Sequence, residues 1–430
     1  MSDKTILVWF RNDLRVNDNE ILLEATRKAD KVLPVYIFDP YYFETTEAGV
    51  PKTGNIRAKF LIESVANLRQ NLQSLGGDLI VRIGDPAELI PQLAQEYHVN
   101  EVYHHREVSF EETAISEKLE AALWKIKLNL KHFIGHTLYH KEDLPFPIKD
   151  IPDSFAVFKK KVERDSDVRP SVQAPENIIL PENAEPGEIP TLQQLGLEEP
   201  IADTRAKFSF IGGETAGNEQ LQRYINNALA AMGSKPARNG MHTSISGISP
   251  WLAMGCLSPR QVYWSVMQHF HHNNNPLVLE LLWRDYFRFM FKKHGSTKFF
   301  KAEGFKTEAP ETATKQGELF ENWKQGATGN AAVDAAMTEL NNTGFINNYS
   351  RQTLAAYLIK ELKVDWTQGA LYFESVLIDY SPASNWGNWI FVAGVGNDPR
   401  ENKYFDTSKL GTEYKDDYLA LWLSHTKDVA

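Results

Sequence analysis

Over the first 140 residues, short apolar runs alternate with longer stretches of helical periodicity. Ile6-Leu7-Val8-Trp9-Phe10 reads as a buried strand, and residues 32–38, 79–83, 102–104 and 132–137 are further strand candidates. The clearest helix places Leu61, Val65, Leu68, Leu72 and Leu75 at three- and four-residue steps and stops at Gly76-Gly77. This alternation predicts an α/β domain with a parallel, Rossmann-like sheet over residues 1–140. Residues 141–200 change character: nine prolines and many acids predict a long surface connector, with a short helix at 154–162. From about residue 215 helical patterns dominate, most clearly at 277–293, 331–341, 350–363 and 369–378. They predict an all-α domain over 201–430.

Composition narrows the picture. No apolar run approaches the ~20 residues that span a bilayer, and the start MSDKTILVWF lacks the basic-then-apolar layout of a secretory signal. The expectation is a soluble monomer in the cytoplasm or another reducing intracellular compartment, an organelle included. Cys256 is the only cysteine, which rules out an internal disulfide, an iron–sulfur cluster and a cysteine-based zinc site, and no metal is expected. Net charge is −10, but the excess lies wholly in the first part: residues 1–200 hold 23 Lys and Arg against 33 Asp and Glu, and the rest holds 23 of each. A nucleic-acid surface in the second part is therefore permitted. Seven of the ten tryptophans fall between Trp251 and Trp389, where helix packing is the plain reading of any one of them.

Several motifs are more specific. There is no GxGxxG after the first strand, so a nicotinamide site is unsupported. Instead the strand runs into Arg11-Asn12-Asp13-Leu14-Arg15-Val16-Asn17-Asp18-Asn19, which physics alone reads as a strand end with buried ion pairs or a ligand rim. Then come Thr137-Leu138-Tyr139 with Asp143-Leu144-Pro145, Gly212-Gly213-Glu214-Thr215-Ala216, and Arg238-Asn239-Gly240-Met241. Residues 249–260 (SPWLAMGCLSPR), 280–287 (ELLWRDYF) and 393–402 (AGVGNDPREN) complete the series. In this order and over nearly the whole chain, they resemble the photolyase/cryptochrome family, most closely its cryptochrome-DASH branch.

The resemblance implies an N-terminal antenna domain and a helical domain enclosing FAD. It places Ser244, Ser246 and Ser249 as a cradle for the pyrophosphate, although Ser249 also reads as a helix cap. Arg284, Asn348, Arg351, Asp379 and Asn385 are implied around the cofactor, with Asn385 facing flavin N5 and Arg351–Asp379 as a buried pair, which also reads as a structural salt bridge. Gly247 stands where relatives carry Lys or Arg. Trp389 and Trp366 occupy the inner and middle places of the family's electron-transfer chain; Ala313 falls at the outer one, with Phe320, Trp323 or a residue elsewhere as substitute. Glu280, Trp283, Asn347, Phe391 and Arg400 are the implied lesion and DNA contacts, with Glu280 bonding a pyrimidine and Trp283 stacking on extruded bases. Tyr349 stands where relatives often carry Arg. Glu107 and Glu111 are the positions for a folate antenna (5,10-methenyltetrahydrofolate), and they read equally as part of a helix cap. The implied activity is blue-light-driven repair of cyclobutane pyrimidine dimers, favouring single-stranded DNA. The alternative is a blue-light photoreceptor with little or no repair.

Overall fold

The computed structural model describes residues 3–46, 49–233, 245–270, 275–397, 411 and 413–424. Five strands, β1 (Thr5–Phe10), β2 (Lys31–Phe38), β3 (Ile80–Ile83), β4 (Glu101–His105) and β5 (Leu130–Phe133), form one parallel sheet in the order β3-β2-β1-β4-β5. β1 is buried along its whole length, as its unbroken apolar run requires of a strand covered on both faces. The crossovers are α1 (Glu20–Lys28), α2 (Asn55–Ser74), α3 (Pro86–Glu96) and α4 (Phe110–Lys125). β5 is shorter and earlier than the sequence predicts. β4 ends at His105, which pairs with Phe133, so the chain beyond has no partner strand.

The connector holds α5 (Phe155–Asp165). The helical part among the described residues comprises α6 (Glu214–Gly233), α7 (Ser249–Ala253), α8 (Pro259–His269), α9 (Pro276–His294), α10 (Gln316–Gln325), α11 (Ala331–Thr343), α12 (Asn348–Ala356), α13 (Trp366–Val376), α14 (Pro382–Val392) and α15 (Asp416–Leu423). The run expected as one helix over 350–363 is α12 followed by a π-helical turn, Tyr357–Glu361. The wider turn buries Leu358 fully and delivers the chain to Lys363 in the left-handed region (φ 50°).

The charged run after β1 rivets the two halves together. Asp18 is 1% exposed and accepts from Arg260 Nη2 (2.6 Å) and Nε (3.0 Å), from the Ser258 hydroxyl, and from the Val172 N–H (2.9 Å). Arg260 also reaches Glu20 at 2.6 Å. Glu214 accepts from the backbone N–H groups of Val16 (2.9 Å) and Asn17 (3.1 Å). Arg15 donates to Gly255 O at 2.9 Å. Gly255 has φ +65°, and a Cβ there would lie 1.8 Å from Asn12 O, so only glycine lets the second half approach this closely.

Removing one partner of such a buried pair strands the other charge. Arg260→Ala is expected to destabilise the protein by about 3–5 kcal/mol, read as a lower denaturation midpoint; a loss below about 1 kcal/mol would show that the pair is no rivet.

Candidate functional site

Open parallel sheets offer a crevice where the strand order reverses, at the carboxyl ends of the strands. Here that point lies between β1 and β4, and it is filled. Asp13 and His105 are fully buried against each other (2.7 Å). Glu107, 2% exposed, takes Arg288 of α9 at 2.6 Å and Asn12 at 3.0 Å. Burial works to raise the Glu107 carboxyl, but Arg288 and Arg11 outweigh it and hold it below the usual range. Glu112, its neighbour, is pushed up to about 8 by burial and by the Glu107 charge. Glu107 is thus an interior ion pair. Glu111 lies apart from it, accepting from Lys52 (2.8 Å) and the Tyr41 hydroxyl (2.7 Å), while Lys52 also meets Glu374 at 3.1 Å. Each of the two carboxylates thus has its own protein donors. Arg284 likewise donates to protein groups, the carbonyls of His136 and Leu252.

The open site lies in the helical half. A cleft open to solvent is lined by Asn348, Arg351, Asp379, Asn385, Asn388 and Trp389, with further apolar lining from Ala355, Phe373, Leu377 and Val392. Arg351 Nη2 donates to both oxygens of Asp379 (3.0 and 2.7 Å), whose side chain is 4% exposed. Ser249 Oγ donates to the same carboxylate at 2.6 Å. Ser249 makes no capping bond to α7, so its hydroxyl belongs to this cluster. The sequence carried no signal for that bond, which joins residues 130 positions apart. Asn385 is 8% exposed and donates one N–H of its amide from Nδ2 to Ala370 O (3.0 Å), which leaves a second N–H and the carbonyl oxygen. A guanidinium, three amides and a hydroxyl on one side, with an apolar wall on the other, fit a flavin ring. Ser246 is buried and its carbonyl accepts from Gln220 (2.8 Å). Ser244 and Arg400 lie outside the described residues.

Two models of known families match the chain: DNA photolyase over residues 6–176, and the FAD binding domain of DNA photolyase over residues 277–430. A cryptochrome DASH from Gloeobacter violaceus is 44% identical over 98% of this chain and 86% of its own length. One from Xenopus laevis is 39% identical over 99% and 84%. The chain belongs to the photolyase/cryptochrome family, in its cryptochrome-DASH branch. The crystal structure of a Synechocystis sp. cryptochrome superposes with a TM-score of 0.88 at 39% identity, covering 98% of this chain and 88% of that one. An archaeal photolyase from Sulfolobus tokodaii, described with two FAD molecules, gives 0.76 at 25% identity over 99% and 91%. The helical half is accordingly an FAD-binding domain.

Next to the cleft, α9 brings Glu280 and Trp283 one turn apart. Glu280 opens to solvent yet is ringed by protein. That enclosure raises its carboxyl to about 7, with Arg351 pulling it down and Asp379 pushing it up. Trp283 lies 6.3 Å from Phe391 of α14, at 66°. Asn347 caps α12, its side chain accepting from Ser350 N (2.9 Å). Tyr349 packs edge-on against Tyr414 (5.3 Å). Trp389, 2% exposed, touches Phe373 (5.0 Å) and Trp323 (6.3 Å). Trp366 packs on Trp386 (5.8 Å), and its indole N–H donates to Ala302 O. Ala313 offers only a backbone bond to Lys363 O (2.8 Å). Of the substitutes considered for the outer tryptophan, Trp323 is the one brought to Trp389. Among the described residues no helix is long and apolar enough to cross a membrane.

Because the folded state raises the Glu280 carboxyl, its contribution to stability is full below the unfolded carboxyl value and is lost as pH rises through 7. A carboxyl titrating near 7 is expected by difference infrared spectroscopy, absent in Glu280→Gln. In Asp379→Asn it should move to lower pH, because a neighbouring negative charge is removed; an unmoved titration would place Glu280 away from the Arg351–Asp379 pair.

Proposed function

We propose that this chain is a light-dependent lyase that splits cyclobutane pyrimidine dimers, favouring single-stranded DNA. The observation that carries the reading is the corner formed by Trp283 and Phe391, whose helices α9 and α14 also carry Glu280 and Asn385. Two ring walls at an angle and a carboxyl pushed up to about 7 stand on α9 and α14, and α14 also supplies Asn385, Asn388 and Trp389 to the cleft. Bound FAD, reduced and excited by light, supplies one electron and takes it back. The chain's residues bind and orient. Trp283 offers a stacking face for an extruded base, and extrusion costs least where pairing is absent. Glu280 holds a proton at its carboxyl and donates it in a hydrogen bond to a pyrimidine carbonyl, stabilising charge that develops there. Arg351 holds the Asp379 carboxylate in place through two contacts, and its positive charge favours an anionic ring beside it.

Since Ala313 removes the outer aromatic position, Trp323, fully buried beside Trp389, serves as an internal relay for electrons on their way to Trp389. Tyr349 in place of a cation reduces phosphate attraction on this side and flattens the salt dependence of binding.

Illuminated, reduced protein is expected to restore a dimer-containing oligonucleotide, faster on single than on double strands and not at all in the dark. Glu280→Gln should slow restoration roughly ten- to a hundredfold, the worth of a hydrogen bond to a charged group. Restoration equal to wild type in both Glu280→Gln and Trp283→Ala would overturn the site. Light-induced flavin changes with no restoration on either strand form would favour the photoreceptor. In flavin photoreduction by external thiol, Trp323→Phe should slow the reaction more than Trp366→Phe; the reverse order would return the route to Trp366.

A further inference from the structure

We propose that Phe155, in the connector, is a positioning residue that locks Trp283 as a stacking platform with one usable face. The inference rests on the function proposed above and concerns how its base-binding wall is held. The Phe155 and Trp283 rings lie parallel, with centroids 3.6 Å apart and planes 10° from each other. Phe155 is 8% exposed, whereas Trp283 remains partly open. One indole face is therefore covered by protein, and a base can stack only on the other.

The cover is fixed to the same helix that carries the platform. Immediately before Phe155, Asp153 O accepts from the Tyr286 hydroxyl (2.6 Å), and Lys293 donates to Ile151 O and to the Asp153 carboxylate (both 2.6 Å). His294 and Asn397 lie 3.0 and 2.8 Å from the same carboxylate oxygen. Tyr286, Lys293 and His294 all belong to α9. Tyr286 also meets the Phe155 ring edge-on at 5.6 Å. These bonds hold the backbone that carries Phe155 against α9, and the edge-on Tyr286 ring flanks the Phe155 ring, so Phe155 is a backing and not a loose plug.

Two further rings flank the indole, Phe287 at 5.5 Å and 30° and Phe391 at 6.3 Å and 66°, and they restrict its swing away from Phe155. A side chain held in its binding pose spends no rotamer freedom when a base arrives. The connector, which the sequence presents as a mere link, thus takes part in recognition.

The test compares wild type with Phe155→Ala, Phe155→Tyr, Trp283→Ala and the Phe155→Ala/Trp283→Ala double variant in the flavin-loaded protein. Dissociation constants are measured at one salt concentration for a single-stranded oligonucleotide carrying one cyclobutane thymine dimer and for its undamaged counterpart. Phe155→Ala is expected to weaken dimer binding by roughly five- to tenfold, the worth of an aromatic pair. Undamaged binding should be unchanged, Phe155→Tyr should behave as wild type, and the double variant should be no weaker than Trp283→Ala, because Phe155 acts only through the indole. Flavin absorbance equal to wild type reports that each variant is folded. Tighter dimer binding by Phe155→Ala would overturn the proposal, since it would make the ring a competitor of the base. An unchanged affinity in Phe155→Ala, or additive losses in the double variant, would overturn it too, while Trp283→Ala still weakens binding. Unchanged dimer binding in Trp283→Ala would instead overturn the base-stacking wall itself.

Discussion

The structure depends on matching buried charge across the seam between the sheet and the helices. The segments leaving β1 and β4 bury charges and backbone donors that are met from the helical half: Asp18 by Arg260, the Val16 and Asn17 N–H groups by Glu214, Glu107 by Arg288. Unmatched, any one of these would oppose folding strongly; matched, they fix the two halves in a single register. The glycine at 255 is part of the same constraint, because the approach that satisfies the charges leaves no room for a side chain.

This seam also decides where ligands can go. The reversal point of a parallel sheet is ordinarily its ligand crevice, but here α9 inserts Arg284, Asp285 and Arg288 into it. Asp285 accepts from the N–H groups of Leu138 and Tyr139, both at 2.9 Å, tying the connector's start to the same helix. One face of α9 is consumed in this way. Glu280, Trp283 and Phe287, three and four residues apart, lie along a different face and look toward α14 and the flavin cleft. A single helix thus docks the sheet domain with one side and presents the chemistry with another, so the position of Glu280 and Trp283 is inherited from the seam.

The alternating apolar pattern made the strands and most helices legible, because burial on both faces of a parallel sheet leaves an unmistakable local run. It misplaced the end of β5, whose length is set by how far β4 extends, and it missed the π turn after α12, which is a matter of how Leu358 packs. Among site residues, Arg351, Asp379, Asn385 and Trp389 were readable from motifs and do line one cleft. Ser249 was readable as a residue but not as a donor to Asp379. Glu107 and Arg284 were assigned to ligands, and the structure gives them protein partners.

The sequence by itself determined the family, the α/β-then-helical order and the residue types gathered at the cleft, since periodicity and contiguous motifs are local properties of the chain. Only the tertiary structure decided which charged groups line that cleft and which are taken up in protein ion pairs. It also decided that one face of Trp283 is covered by Phe155, and that Trp323 is buried beside Trp389. Those outcomes turn on contacts between residues tens to hundreds of positions apart, and desolvation and packing at such contacts leave no mark in the spacing of neighbours along the chain.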